Sequence, residues 1–381
     1  AIEHGCQTAV MAPTELLAEQ HQLNFQQWLE PLGIQVALLT GQMTAKSQRE
    51  TLQRVASGEV QVIIGTHALF QDKVIFHKLA LAIIDEQHRF GVHQRMALQH
   101  KGAYPHQLVM TATPIPRTLT MTLYADMDVS VIDELPKGRQ PITTHTAAQP
   151  KRPELIERLR KILAQGQQAY WVCTLIEPSE EIEALSAEEA FDLLRRELPE
   201  FRVALLHGRM KGDEKVEVMR AFKAGEYQLL VATTVVEVGV DVPNATQMFI
   251  ENAERLGLAQ LHQLRGRVGR GSKASRCFLL FKPGVSQAGQ HRLNALRQSQ
   301  DGFYLAEQDL KLRGPGDILG TRQSGEQSFK IADLSEHAHL MPRVVQRCET
   351  MMNAAPASDD GIYLTGLLNT WAASDNAHLS V

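Results

Sequence analysis

Short apolar runs recur along this chain, and the stretches between them have the spacing of amphipathic helices, for example at residues 14–29, 155–163 and 213–222. Strands that alternate with helices of about 10–15 residues form βαβ units and a parallel sheet. The order of the runs therefore predicts an α/β protein with two parallel sheets. The strand candidates are residues 8–12, 35–39, 61–64, 79–84 and 107–110 for the first sheet, and residues 169–175, 202–206, 228–232, 246–250 and 276–281 for the second.

Residues 133–144 contain two prolines and a glycine, a composition that favours turns over a continuous element. We interpret this stretch as the connection between the two sheets. After residue 284 the pattern becomes helical and then irregular, and residues from 350 onward indicate no particular fold. The sequence shows no close internal repeat, so the two sheets are expected to share an architecture without sharing a sequence.

Apolar residues make up 44% of the 381 positions and charged residues 22%, as in ordinary soluble globular proteins. No apolar run approaches the ~18 residues that a membrane span needs. Four cysteines lie far apart without a C-x-x-C pair, which favours reduced thiols in protein cores over disulfides or a zinc site. These features are typical of a cytoplasmic protein.

Charge is unevenly distributed along the chain, although its net value is only −4. Residues 177–200 carry nine acidic and two basic side chains, which we interpret as a solvated face. Residues 255–330 carry thirteen Lys or Arg and five Asp or Glu. This local excess of positive charge predicts a binding surface for a polyanion.

The pair Asp85-Glu86 directly follows the apolar run 79–84. Open α/β sheets bind ligands at the carboxyl ends of their strands. There, one carboxylate can hold Mg²⁺ through its water shell, and its neighbour can position the water that attacks a γ-phosphate. An acidic pair that merely caps a helix is the alternative. His88 is expected to be a hydrogen-bonded coupler beside this pair and not a metal ligand.

Residues 263–270 have the form Q-x-x-G-R-x-G-R. Arg267 and Arg270 are three positions apart, so both can face one side of a helical turn. Guanidinium groups in such positions neutralise the charge that builds up on a transferred phosphoryl group. Gly266 and Gly269 permit close backbone approach. Since glycines are unfavourable inside helices, a plain basic surface helix is the weaker interpretation.

Several threonines directly follow strand candidates, where their hydroxyls could meet the phosphates of a nucleic acid. Thr111 and Thr113 follow the fifth run, and Thr233 follows the run 228–232, although threonine is also an ordinary turn residue. Thr14 begins a helix whose N-terminal amides suit a phosphate, and a helix N-cap explains the same residue equally well. Asp241 could accept a hydrogen bond from a ribose hydroxyl.

Residues 302–325 predict a helix at 303–312, a Gly-Pro-Gly turn, a short helix at 317–319 and a polar loop that carries Arg322 and Gln323. Together with Arg313, these residues favour a helical hairpin with basic tips. A simple C-terminal packing module is the alternative for this segment.

The phosphate-loop motif G-x-x-x-x-G-K followed by Ser or Thr does not occur in these residues. We therefore expect the chain to correspond to the downstream part of a nucleotide-driven motor, with its first sheet truncated at the N-terminus. The start at Ala1 without a methionine fits this expectation, and it fits a processed protein as well. On its own, such a chain is expected not to hydrolyse ATP.

The order of Asp85-Glu86-Gln87-His88, Thr111-Ala112-Thr113, Gly239-Val240-Asp241 and residues 263–270 resembles superfamily 2 helicases. More narrowly, residues 85–95, 170–177 and 313–316 are similar to the RecG family of bacterial branched-DNA helicases. This resemblance extends from residue 10 to about residue 334. Transcription-repair coupling factors share the hairpin and residues 263–270, but Gln87 and residues 170–177 favour RecG.

The resemblance implies a monomeric, ATP- and Mg²⁺-dependent translocase on double-stranded DNA that remodels stalled replication forks and migrates Holliday junctions. Its two RecA-like lobes would be residues 1–140 and 141–285, and residues 286–381 would form the translocation hairpin and a tail. The implied partners are branched DNA and, as a further candidate, a single-stranded DNA-binding protein. As an isolated chain, a non-catalytic DNA-binding module is the alternative.

The resemblance also implies roles for individual residues. Asp85, which would hold Mg²⁺ through water, and Glu86 would be catalytic together with Arg267 and Arg270. The nucleotide would further contact Gln263, Gly239, Asp241 and His88. The residues implied in DNA contact and coupling are Thr14, Thr111, Thr113, Thr233, Arg313, Arg322 and Gln323.

Overall fold

The computed structural model describes residues 1–86, 101, 105–112, 128–134, 136, 138–174, 180–237, 241–313, 337, 340–355 and 358–371. These residues divide into two compact units. One unit comprises residues 1–114 and 135–305 and contains both sheets; the other comprises residues 115–134 and 306–381. The three-part division at residues 140 and 285 stays a prediction.

The first sheet has five parallel strands in the order β2-β3-β1-β4-β5. Strands β1 to β4 are short and largely apolar, as expected for parallel strands that are covered on both faces, whereas the edge strand β5 is half polar and partly exposed. The strands are β1 (Gln7–Met11), β2 (Val36–Leu39), β3 (Val62–Gly65), β4 (Leu79–Ile84) and β5 (His106–Val109), and the helices between them are α1 (Glu15–Leu29) and α2 (Ala45–Ala56).

Side chains of the first sheet alternate between two hydrophobic clusters, because successive residues of a strand point to opposite faces. Met11 and Ile63 belong to the cluster that contains Leu39. Val10 and Ile64 belong to the cluster on which Ala18 of α1 packs. Both faces of strands β1 to β4 are therefore covered, which leaves the ends of these strands for ligand-binding groups.

The second sheet has six parallel strands in the order β6-β11-β10-β7-β9-β8. Its core includes a row of stacked rings in which Phe249 lies 4.8 Å from Trp171 and 4.9 Å from Phe278. The strands are β6 (Thr143–Ala148), β7 (Gln168–Val172), β8 (Val203–Leu206), β9 (Leu229–Ala232), β10 (Ala245–Ile250) and β11 (Arg276–Phe281).

Three of the helices that accompany or follow the second sheet agree with the predicted helices at 155–163, 213–222 and 303–312 within three residues: α3 (Arg152–Leu163), α5 (Gly212–Lys223) and α8 (Gly302–Arg313). The others are α4 (Glu180–Glu197), α6 (Leu258–Arg265), α7 (Gln287–Gln298), α9 (Met341–Met352) and α10 (Asp359–Trp371). Among the described helices, none combines the length and the apolar character needed to cross a membrane.

One strand differs from the prediction. Thr143 and Thr144 fall in the predicted connection, but they begin β6, which pairs with β11 along six residues. Its sequence Thr-Thr-His-Thr-Ala-Ala lacks the apolar run that marks the other strands. Threonine nevertheless favours β-structure, and an edge strand needs less apolar surface than a central one. The connection therefore ends before Thr143.

The expectation that the two sheets share no sequence is wrong for one segment. Residues 36–66 align without gaps with residues 203–233: both begin with Val-Ala-Leu-Leu, both contain Gly-Glu before the next strand, and both end in Thr. In each sheet the segment runs from the strand at one edge, through a helix, to the adjacent strand. The two copies are therefore structurally equivalent βαβ units.

The hydrogen bonds of the two units are equivalent as well. The buried Gln7 amide donates to the carbonyls of Val55 (2.9 Å) and Val60 (2.7 Å). Gln168, at the start of β7, donates to Phe222 (2.6 Å) and Tyr227 (2.7 Å), which occupy the same two positions in the second copy. One polar side chain thus fastens each central strand to the neighbouring unit.

All four cysteines are free. Cys173 and Cys277 are buried in the second sheet, in agreement with the prediction of core thiols. Cys348 is exposed on α9 and Cys6 is half-buried, so the prediction is wrong for Cys348.

Candidate active site

The predicted acidic pair lies at the carboxyl edge of the first sheet. The Asp85 amide donates to the Met11 carbonyl at 2.9 Å, which places the residue beside the end of β1. Its carboxylate Oδ2 lies 2.8 Å from Nε2 of His21, a residue of α1. Both side chains are about one-fifth exposed. The carboxylate is thus oriented by a histidine and can still be reached by solvent.

His21 is absent from the predicted site residues. The predicted histidine, His88, lies outside the described residues. The signal for His21 is indirect: it lies on the helix that follows β1, and β1 is the neighbour of β4 in the sheet. Sequence spacing alone does not show that β1 and β4 are adjacent.

Glu86 adopts a left-handed backbone conformation, with a φ of 52°. For a residue other than glycine, this conformation costs on the order of 1 kcal/mol or more and is concentrated at functional sites. Its carboxylate Oε2 accepts a hydrogen bond from the Ala112 amide at 3.5 Å. Because β4 and β5 are neighbours, Thr111-Ala112 lies at the same edge as the acidic pair, as predicted. Thr113 lies outside the described residues.

Thr14 caps α1, since its hydroxyl accepts a hydrogen bond from the Leu17 amide at 3.3 Å. The N-cap interpretation of this residue is therefore confirmed. The N-terminus of α1 follows β1 directly and opens at the same edge of the sheet as Asp85.

The predicted arginine segment lies at the amino edge of the second sheet, where α6 ends. A Cβ added to Gly269 would lie 2.8 Å from Cγ1 of Ile142, just before β6. One added to Gly271 would lie 2.5 Å from the carbonyl oxygen of Pro243, just before β10. Side chains at these positions would clash, and Gly269 also has a φ of 74°. The glycines thus let the segment pack closely against this edge.

Asp241 and Arg270 come together at this edge, with 3.7 Å between Oδ1 and a guanidinium nitrogen. The Nε of Arg270 also donates to the Gly266 carbonyl at 3.1 Å. Burial raises the pKa of the Tyr170 hydroxyl, whereas the charges of Arg267 and Arg270 oppose that shift. The charges of Arg267, Arg270 and Asp241 therefore all act on Tyr170 of β7, and their sum is positive.

Gln263 is half-buried on α6, in the turn before the arginine segment. Gly239 lies outside the described residues. A further arginine of the motif, Arg265, is buried and donates to the carbonyls of Leu296 (2.7 Å) and Ser299 (2.8 Å). Arg265 therefore anchors α6 to α7 and is not available to a ligand.

His262 contacts Arg265 at 3.0 Å. Burial, reinforced by the charge of Arg265, lowers the pKa of His262 to about 4. The imidazole is consequently neutral near pH 7 and accepts a hydrogen bond from the guanidinium. This pair is part of the support of the arginine segment.

Thr233 is fully buried at the carboxyl end of β9, and its hydroxyl has no hydrogen-bond partner among the described residues. Thr66 occupies the same position in the first copy of the repeated unit and has the same property. The repeat is the signal that would have added Thr66 to the predicted residues. Arg322 and Gln323 lie outside the described residues, and Arg313 ends α8.

In the described part of the chain, no three His, Cys, Asp or Glu side chains cluster closely enough to hold a metal ion. Mg²⁺ keeps several waters and needs only one or two carboxylates together with phosphate oxygens, so the carboxylates of Asp85 and Glu86 are the groups that could hold it. The contact with His21 involves one of the two oxygens of the Asp85 carboxylate.

Comparisons with known families agree with this division of the site. The DEAD/DEAH box helicase family matches residues 1–122, and the helicase conserved C-terminal domain matches residues 154–272. The third match, at residues 299–364, is to ATP-dependent DNA helicase RecG, domain 3, C-terminal. This last match favours RecG over transcription-repair coupling factors.

The chain is 60% identical over 349 residues to the ATP-dependent DNA helicase RecG of Escherichia coli O157:H7, covering 90% of this chain and 50% of the relative. It is 50% identical over 335 residues to that of Bacillus subtilis, covering 88% and 49%. The chain thus spans about half the length of the curated relatives it matches.

A solved structure of RecG bound to a three-way DNA junction matches with a TM-score of 0.71 and 44% identity, over 88% of this chain and 44% of that one. Saccharomyces cerevisiae Dbp5 bound to RNA and ADP BeF3 matches with a TM-score of 0.57 and 16% identity, over 78% and 75%, and shows a shared fold alone. With its two parallel-sheet lobes and the RecG-specific match beyond them, the chain belongs to the RecG family of superfamily 2 helicases.

Proposed function

We propose that the chain is the motor portion of an ATP-dependent translocase on double-stranded DNA that remodels stalled replication forks and branch-migrates Holliday junctions. The main support is the placement of Asp85 and Glu86 at the carboxyl edge of one parallel sheet and of Arg267 and Arg270 at an edge of the other. Family membership and the three-way DNA junction bound by the solved relative support the DNA substrate. We include in the same proposal that the protein is a monomer and that a single-stranded DNA-binding protein is one of its partners.

In this proposal Asp85 holds Mg²⁺ through water, and the His21 contact fixes the orientation of its carboxylate. Bound Mg²⁺ would neutralise charge on the β- and γ-phosphates. Glu86 orients the attacking water and accepts its proton, and the hydrogen bond from Ala112 holds the carboxylate toward the segment after β5. Because of this bond, a shift of Thr111-Ala112 would also move the Glu86 carboxylate.

Arg267 and Arg270 stabilise the charge that develops on the transferred phosphoryl group, a contribution on the order of 10³–10⁵ in rate in comparable enzymes. Asp241 holds Arg270 until an anion competes for the guanidinium. Gln263, Gly239 and His88 complete the nucleotide site. The proposed DNA-contact and coupling residues are Thr14, Thr111, Thr113, Thr233, Arg313, Arg322 and Gln323.

The absence of a phosphate-loop motif favours an inactive chain in isolation, because the loop amides and lysine cradle the β- and γ-phosphates. The same absence favours a second function for the chain as it stands, a non-catalytic DNA-binding module. Both functions can be tested with an extended protein, in which a segment that carries a phosphate loop precedes Ala1.

The test is ATP hydrolysis by the 381-residue chain and by the extended protein, each with forked DNA, linear duplex DNA or no DNA. We expect hydrolysis in the extended protein alone, with the strongest stimulation by forked DNA. Hydrolysis by the short chain would contradict the proposed need for the loop. An extended protein that binds forked DNA without hydrolysing ATP would leave the binding module as the better account.

A further inference from the structure

Arg139 lies in the connection between the two sheets and reaches back to the arginine segment. Its Nε donates to the carbonyl oxygen of Gly269 at 2.9 Å, and this carbonyl belongs to the peptide bond that precedes Arg270. The half-buried guanidinium of Arg139 is thus fixed to the backbone between the two proposed phosphate-contacting arginines.

The connection makes a second contact at the same place. Ile142 is buried, and its Cγ1 occupies the space where a side chain of Gly269 would otherwise lie. The Ile142 amide in turn donates to the side-chain oxygen of Gln300 at 3.1 Å. A hydrogen bond from Arg139 and the packing of Ile142 therefore hold residues 139–142 against Gly269.

The charges around Arg139 link it to the ligand-binding side chains. Burial lowers the pKa of Arg139, the nearby charge of Arg270 lowers it further, and Asp241 opposes the shift. The three side chains therefore lie within one another's electrostatic field, with two positive charges and one negative. An incoming phosphate would relieve the repulsion between the two guanidinium groups.

We propose that Arg139 is a positioning residue for Arg270, which it serves by fixing the Gly269–Arg270 peptide plane and by tying that plane to the connection between the sheets. This inference rests on the proposed role of Arg270 in phosphoryl transfer. If the backbone that carries the Arg270 side chain is held in one orientation, the guanidinium needs no reorganisation when charge develops on the phosphoryl group. A guanidinium on a mobile backbone must reorganise first.

The first experiment measures amide hydrogen–deuterium exchange in the 381-residue chain. We expect Arg139→Ala to accelerate exchange about tenfold in residues 266–271 and to leave the first sheet unchanged. Arg139→Lys, which keeps a charged donor, should restore most of the protection. Arg54→Ala is the control, since Arg54 of α2 forms a partly exposed ion pair with Glu59, in the loop before β3. Exchange in residues 266–271 that is equal in wild type and Arg139→Ala would overturn the proposal.

The second experiment measures steady-state ATP hydrolysis in the extended protein. We expect Arg139→Ala to lower kcat about tenfold or more with little change in KM, because the lost geometry matters mainly in the transition state. If Arg139→Ala does not fold, Arg139→Gln, which keeps a neutral donor, takes its place in both assays. An unchanged kcat in an active protein would overturn the positioning role alone, whereas inactivity of the wild-type extended protein would count against the proposed function.

Discussion

The Asp85 carboxylate and the Glu86 backbone both have conformations imposed by their neighbours. His21 contacts the Asp85 carboxylate at 2.8 Å. The Glu86 backbone has a left-handed φ of 52°, and its carboxylate accepts a hydrogen bond from the Ala112 amide. A strained backbone at a strand end is maintained only where the surrounding structure over-determines it. In the proposed mechanism, that rigidity orients two adjacent carboxylates for different tasks.

His262 gives a pH-dependent prediction. Its pKa is about 4 in the folded chain, against 6.5 for the ordinary side chain. The unfolded chain therefore binds an extra proton between these values, and stability is lost as the pH falls from about 6.5 to 4. At about 1.4 kcal/mol per pKa unit, the loss from this residue is at most about 3–4 kcal/mol.

The measurement for His262 is urea unfolding of the wild type and His262→Gln at several pH values from 7 to 4. The wild type should lose stability more steeply than the variant over this range. His4→Gln, at an exposed histidine near the N-terminus, should behave like the wild type. Parallel pH profiles for wild type and His262→Gln would show that the histidine is not buried in its neutral form.

The repeated βαβ unit is the element that the two sheets share, and a glutamine fastens each copy. Gln168→Ala would leave the carbonyls of Phe222 and Tyr227 without their shared side-chain donor. The Phe222 carbonyl also accepts a hydrogen bond from the Gly225 amide, so the cost falls mainly on the Tyr227 carbonyl. One unsatisfied group costs about 1–3 kcal/mol, and we expect a loss of that size. Urea unfolding measures this loss, with the exposed Gln165→Ala as control.

Gln7→Ala should have a matching effect in the first sheet, through Val55 and Val60. A loss below about 0.5 kcal/mol for both glutamine variants would show that water or a neighbouring group readily replaces the amide.

Sequence patterns are sufficient for elements whose residues are adjacent in the chain. The apolar runs locate ten strands, and the Asp-Glu pair at the end of β4 marks the acidic part of the site. β6 escapes prediction because its Thr-rich sequence carries no apolar run. The repeat escapes it because, after Val-Ala-Leu-Leu, its identities are scattered among substituted positions.

The contacts that sequence reasoning misses join residues distant in the chain. The His21–Asp85 contact depends on β1 lying beside β4, and the Arg139–Gly269 bond depends on the connection returning to the end of α6. Neither residue type is unusual at its position, so spacing alone cannot identify them. Strand order and loop packing supply this information.

For the whole molecule, the distribution of charge predicts how the chain binds DNA. The net charge is −4, but residues 255–330 carry an excess of Lys and Arg, and contacts from such a surface go mainly to phosphates. We expect the affinity for forked DNA to fall linearly with salt on a logarithmic scale and to be indifferent to base sequence. Fluorescence anisotropy over a range of salt concentrations, with two forks of unrelated sequence, measures both properties. A marked preference between the two forks would contradict a phosphate-based contact surface.

The central claim is that carboxylates from the first sheet and arginines from the second act on one nucleotide. Glu86→Gln in the extended protein tests it most directly, with Glu59→Gln, an exposed ion-pair residue, as the matched control. We predict that Glu86→Gln binds ATP and forked DNA normally but hydrolyses ATP at least about 100-fold more slowly, as expected when a positioned general base is lost. Normal turnover by Glu86→Gln, in a protein whose Glu59→Gln variant is also active, would contradict the account.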